Sequence, residues 1–167
     1  MSTIGLIAGG GRFPLLFAES ARRAGHEVVV AAFVNQTLPE LERQVQAFTW
    51  VKLGEFGKMA TALKRGGVQS VVMLGGVAKA RFFRDAWLDL AGLKLLAEVA
   101  VRSDDNLLRA VARWLEEQGL PVVDPTPFLL DRLAPEGVLG RRSPTPSRKL
   151  TNVSISFCPP YCARSCS

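Results

Sequence analysis

Cysteine is missing from the body of this chain. The three that occur, Cys158, Cys162 and Cys166, all fall within the last ten residues. An odd number in one short stretch argues against a disulfide framework. Their C-x3-C-x3-C spacing also departs from the C-x2-C pairs of zinc knuckles. His26 is the sole histidine, so neither a Ser-His-Asp nor a Cys-His catalytic group can be assembled. It falls at a helix-to-strand turn and is expected at the surface. No apolar run approaches the length of a membrane span, and the densest, Val28 to Val34, is strand length. The amino terminus has no basic residue followed by a long apolar stretch and a cleavage site, so a cytoplasmic protein is expected. Acidic residues stop at Glu136. Arg141, Arg142, Arg148, Lys149 and Arg164 carry most of the net charge of +6 and leave the body nearly balanced. With no basic helix and no aromatic-basic interleaving, nucleic acid is not an expected partner. A surface that tolerates phosphates or an anionic leaflet fits better.

What remains is the composition of a globular α/β protein, 48% apolar and 22% charged over 167 residues. Thr3–Ala8 reads as a buried strand broken by Gly9-Gly10-Gly11. Pro14 opens a helix at a first-turn position, where its missing N–H costs nothing, and that helix stops at Gly25. Strands are predicted at Glu27–Phe33, Phe48–Leu53 and Val68–Leu74, with a helix over Gly54–Lys64 ended by Gly66-Gly67. Helical spacing recurs over Trp87–Val101. A further helix is capped by Ser103, with Asp104 and Asp105 in its first turn and Leu107, Leu108, Val111, Trp114 and Leu115 on its buried face. Leu120–Val123 is a short fifth strand closed by Pro125 and Pro127. Strands alternating with helices over short loops imply a Rossmann-like open parallel sheet with helices on both faces.

This domain is expected over residues 1–135, followed by a connector at 136–146 that contains Ser143-Pro144-Thr145-Pro146. From 147 to 167 helical period fades while Cys, Pro, Ser and Arg accumulate. That stretch reads as out-of-frame sequence or a cloning scar joined to a truncated protein, against the plainer alternative of a genuine short tail.

Two glycine loops stand where phosphate chemistry is expected. Gly9, Gly10 and Gly11 follow the first strand and precede a helix start. Bare glycines allow close backbone approach, the helix terminus offers N–H donors, and Arg12 adds a cation. Gly75, Gly76 and Val77 end the fourth strand, with Lys79 and Arg81 beyond. In a doubly wound sheet the first and fourth strands flank the point where strand order reverses, so both loops are expected at one cleft. The dinucleotide fingerprint is broken twice. Pro14 stands at its last glycine, and the second strand runs into Phe33-Val34-Asn35-Gln36 without a carboxylate. Asp104 and Asp105 are a possible metal pair, although adjacent acids at a helix start more often serve the dipole. In Gly54-Glu55-Phe56-Gly57-Lys58, structural and ligand roles stand level.

Taken together these pieces resemble the LpxI-type UDP-2,3-diacylglucosamine pyrophosphatases. The resemblance adds Gly92-Leu93-Lys94, Leu107-Leu108-Arg109, and Pro135-Glu136-Gly137-Val138-Leu139-Gly140 with Ser143-Pro144, and covers residues 3 to 146. It implies a substrate lying between this domain and a second, carboxy-terminal one. It also implies Mg2+- or Mn2+-dependent hydrolysis of the pyrophosphate to UMP and 2,3-diacylglucosamine 1-phosphate (lipid X), with peripheral contact to the inner membrane. Gly9, Gly10, Gly11, Arg12, Gly75, Gly76, Val77 and Lys79 are the expected substrate contacts. The second domain and its metal-associated aspartate are not found in this sequence, so the chain by itself is expected to be inactive. Two other readings stay open, a non-catalytic module for a UDP-sugar or phosphate and an NAD(P)-binding oxidoreductase domain.

Overall fold

The computed structural model describes residues 2–77 and 104–130, with backbone alone for 104–107. Strand β1 is Thr3–Ala8, helix α1 Phe13–Arg23, β2 Glu27–Phe33, β3 Ala47–Val51, α2 Phe56–Arg65, β4 Ser70–Leu74 and α3 Asp104–Glu117. A short 3-10 helix, Pro39–Gln44, joins β2 to β3. Two compact units divide the chain, Met1–Phe128 and Leu129–Ser167, and the elements above all belong to the first. The sequence-predicted helix over Trp87–Val101, the Ser103 cap, Gly92-Leu93-Lys94, the 136–146 connector and the 147–167 segment with its cysteines lie outside the described residues.

All pairings are parallel, and the order is β3-β2-β1-β4. Strand placement moves one way from β1 to β3 and then jumps back to β4. Right-handed crossovers therefore put α1 on one face and α2 on the other. Residue alternation shows this directly. Ile7, Val29, Ala31, Val51 and Val71 pack with Phe56, Met59, Ala60 and Leu63 of α2 and with Val111 and Leu115 of α3. Those α2 residues stand at i, i+3, i+4 and i+7, a single helical stripe. Ile4, Leu6, Val28 and Val30 alternate with the first set, so they point to the α1 face, and they are equally buried. Phe17 of α1 is fully buried and meets Phe128 edge-on at 5.5 Å. A sheet covered on both sides explains why its strands read as continuous apolar runs. This is a Rossmann-like α/β domain.

The first two strands have the predicted bounds, and the departures elsewhere have local causes. Gly54 sits at φ +102, outside helical geometry, so α2 opens at Phe56 with the Glu55 carboxylate accepting the Lys52 N–H at 2.7 Å. Val68 gives its N–H to Leu63 O at 3.3 Å and completes the α2 terminus, which delays β4 to Ser70. The fifth strand shrinks to one parallel bridge, Val71 to Val122. Pro121 has no N–H, and Leu120 spends its own on Leu115 O at 2.9 Å, closing α3.

On α3 the buried stripe consists of Ala110, Val111, Ala112 and Leu115, while Trp114 is half-buried and Leu108 is 54% exposed. The expected inward position of Leu108 is thus corrected. Trp114 already stands level with Phe56, the first residue of α2, at a ring distance of 6.0 Å. Leu108 lies nearly two turns closer to the amino end of the helix. No helix among the described residues is long and apolar enough to cross a membrane.

Candidate functional site

Strand β1 ends at Ala8 and β4 at Leu74, side by side where the strand order reverses. This is the place at which open α/β sheets bind ligands. The structure brings the two glycine loops together there, and it joins them. Gly9 N–H donates to Leu74 O at 2.8 Å, Gly10 N–H to Gly76 O at 2.7 Å, and Gly76 N–H to Gly10 O at 3.0 Å. The last two bonds form an antiparallel bridge between loops that leave parallel strands. Only bare backbone permits this. An ideal Cβ on Gly9 would lie 2.7 Å from Gly76 O, and one on Gly75 would lie 2.7 Å from Gly10 O, with Gly75 at φ +97.

Three of the amides expected to grip a phosphate are therefore engaged across the β1–β4 seam, Gly9 with the end of β4 and Gly10 and Gly76 with each other's loop. The remaining donors sit one step further on. No described residue accepts from the N–H groups of Gly11, Arg12 or Phe13. Gly11 turns the chain at φ +97 into α1, whose terminus has no side-chain cap, no acidic residue in its first turn, and Pro14 in that turn. Unpaired N–H groups and the positive end of the helix dipole thus face outward together, the arrangement that holds anions. Arg12 is exposed beside them.

The turn after β2 closes the third side. Asn35 is the one described non-glycine residue at positive φ, +61. An ideal Cβ on Gly10 would come 3.2 Å from Gln36 O. Sequence reasoning passed over Thr37 in this turn. Its only signal was a polar Asn-Gln-Thr run at a strand end. Three exposed apolar side chains, Phe13, Val34 and Val77, stand along the same carboxyl edge.

Other candidates fall differently. Lys79 and Arg81 lie outside the described residues. Asp104 and Asp105 open α3 on the carboxyl side of the sheet, with backbone alone described. Among the described residues no three His, Cys, Asp or Glu side chains gather as a metal site. Glu55 serves its own loop, accepting from Lys52 N–H and, at 3.4 Å, from Lys58 Nζ. His26 precedes β2 at the amino-terminal end of the sheet, opposite the glycine loops. It is half-buried, hydrogen-bonded to Ser2 Oγ at 2.7 Å and edge-on to Phe128 at 5.4 Å.

Fold and site together define a Rossmann-like α/β domain with a bridged pair of glycine loops at its switch point. Residues 3–132 match the family described as the LpxI N-terminal domain, and the chain belongs to that family. It is 34% identical over 149 residues to the UDP-2,3-diacylglucosamine pyrophosphatase LpxI of Caulobacter vibrioides, covering 87% of this chain and 52% of that protein. The chain thus spans about half the length of this relative. Among solved structures it is similar to a UDP-glucose-4-epimerase from Stenotrophomonas maltophila with bound NAD and formylated UDP-arabinopyranose, with TM-score 0.48, 12% identity, and coverage of 72% of this chain and 35% of that one. Bordetella bronchiseptica WbmG in complex with NAD and UDP gives TM-score 0.45 at 17% identity, covering 70% of this chain and 34% of that one.

Proposed function

We propose that this domain holds the diphosphate of UDP-2,3-diacylglucosamine during hydrolysis to UMP and 2,3-diacylglucosamine 1-phosphate. The observation that carries the reading is the uncapped start of α1 beside the bridged loops, in a chain of the LpxI family. The N–H groups of Gly11, Arg12 and Phe13 and the Arg12 guanidinium donate to the phosphate oxygens. Gly9, Gly10, Gly75 and Gly76 fix the floor beneath them, with Val77 at the rim. Donors held in place before the reaction stabilise charge on those oxygens without reorganising. Exposed Phe13, Val34 and Val77 suit a substrate whose diphosphate is joined to acyl chains. Such a substrate places the enzyme in the cytoplasm, in peripheral contact with the inner membrane. The described residues offer no ligand set for the divalent cation, Mg2+ or Mn2+.

Titration calorimetry of this chain with UDP, followed by a UMP-release assay of the full-length protein on UDP-2,3-diacylglucosamine with Mg2+ or Mn2+, tests the reading. Absence of both binding and release sinks it. A nicotinamide cofactor is disfavoured by Pro14 in the loop and by the Val34-Asn35-Gln36 turn, which offers no carboxylate to a ribose.

A further inference from the structure

The hydroxyl of Thr37 is the one described side chain that joins β1 to β2 at the site. Thr37 is 6% exposed. Its Oγ1 donates to Ala8 O at 2.6 Å and accepts the Phe33 N–H at 3.1 Å, while its own N–H returns to Phe33 O at 3.1 Å. Ala8 and Ala32 are the last paired residues of the β1–β2 ladder. One step past them, a β2 donor and a β1 acceptor are connected through a single oxygen. The strand ends are thereby held apart by the width of a hydroxyl, and the carbonyl immediately before Gly9 is fixed in direction.

The glycine loop is thus held from two sides. On the β4 side it is bonded to Leu74 and Gly76, and on the β2 side the Thr37 turn sets Gln36 O against Gly10. Between these supports the chain has one free direction, up through Gly11 into α1.

We propose that Thr37 is a positioning residue for the anion site, aiming the Gly11–Phe13 donors through Ala8 and Gly9 without touching the ligand. This rests on the diphosphate reading above. A buried hydroxyl that satisfies two backbone groups is costly to remove, because both are left unpaired. Thr37→Val keeps the shape and removes the relay, whereas Thr37→Ser keeps the relay.

The test compares wild type, Thr37→Val and Thr37→Ser in the 167-residue chain by UDP calorimetry and by site-resolved amide exchange. UDP affinity is expected to weaken about tenfold in Thr37→Val and to stay within about twofold in Thr37→Ser, the scale on which removing a supporting bond disturbs a held group. Amides of Phe33 and Gly10 are expected to exchange faster in Thr37→Val, while Met59 and Leu63 in α2 keep their protection. Unchanged affinity together with unchanged exchange at Gly10 overturns the proposal. So does faster exchange throughout α2 that Thr37→Ser does not rescue, since that marks a merely structural residue. If wild type binds no UDP, the diphosphate reading fails, and exchange at Gly10 alone decides whether Thr37 positions the loop. Should Thr37→Val not fold, Thr37→Cys, whose thiol bonds weakly, replaces it under the same criteria.

Discussion

Replacing Gly9 by alanine is the most direct assault on the bridged loops. The added methyl would stand 2.7 Å from Gly76 O, 2.9 Å from Gly75 C and 3.0 Å from Gly75 O, all backbone atoms. No rotamer change relieves such a contact. Either the loops part or the strand ends shift. Overpacking of this kind costs about 1–3 kcal/mol. If the bridge opens, the Gly10–Gly76 pair of hydrogen bonds is lost as well, at about 1 kcal/mol each. We expect about 1–3 kcal/mol of lost stability if the bridge holds and about 3–5 kcal/mol if it opens, out of the roughly 5–15 kcal/mol of a typical domain. Gly76→Ala is the control, because a Cβ there meets nothing within 4 Å and its φ is not positive. It should stay within about 0.5 kcal/mol of wild type. Urea unfolding of the 167-residue chain, read as a midpoint shift at constant m-value, measures both. Equal stability of Gly9→Ala and Gly76→Ala would refute the bridge, since chemically identical changes differ here only in what the methyl strikes.

Three further outcomes follow from the same geometry. Gly11→Asp has open space around its Cβ but sits at φ +97, so it should cost only about 1–2 kcal/mol of stability while abolishing UDP binding in calorimetry, because a carboxylate occupies the anion position. Leu115→Ala, at a fully buried position, should cost about 2–5 kcal/mol, whereas Leu108→Ser should be near neutral; thermal unfolding separates them, and equal losses would mean that α3 is rotated from its described face. Gly66→Ala would put a methyl 2.7 Å from both Cγ atoms of Val29 and should cost about 1–3 kcal/mol, with Gly66→Ala/Val29→Ala recovering part of the loss in a double-mutant cycle.

Much of the fold was legible because each element carries its own signal. Thr3–Ala8 and Glu27–Phe33 carry no polar side chain after their first residue and are bounded by glycine or a turn, so their limits match the structure. Strand edges next to helix termini were less legible. Whether Val68 belongs to β4 or to the end of α2 depends on where its N–H goes, and that is a choice between two acceptors that composition does not record. The exposure of Leu108 was hidden for a related reason. Helical period gives a residue's angle around the axis, but not whether the sheet still lies beneath it.

The candidate site divides in the same way. Glycine spacing and the alternation of strands and helices, read under the right-handed crossover rule, were enough to put the ends of β1 and β4 next to each other. Those are properties of the chain as a string. Which amides remain available was decided only by the folded sheet. Parallel pairing of β1 with β4 brings two bare backbones close enough to bond, which engages Gly9, Gly10 and Gly76 and moves the donor set to Gly11–Phe13. The part of Thr37 is tertiary as well, since its acceptor Ala8 lies 29 residues away and becomes a neighbour only when β2 pairs with β1. Local sequence determines which conformations each segment can adopt. Hydrogen bonds between segments far apart in the chain are settled by packing, because a donor's partner is whatever the fold brings within 3 Å of it.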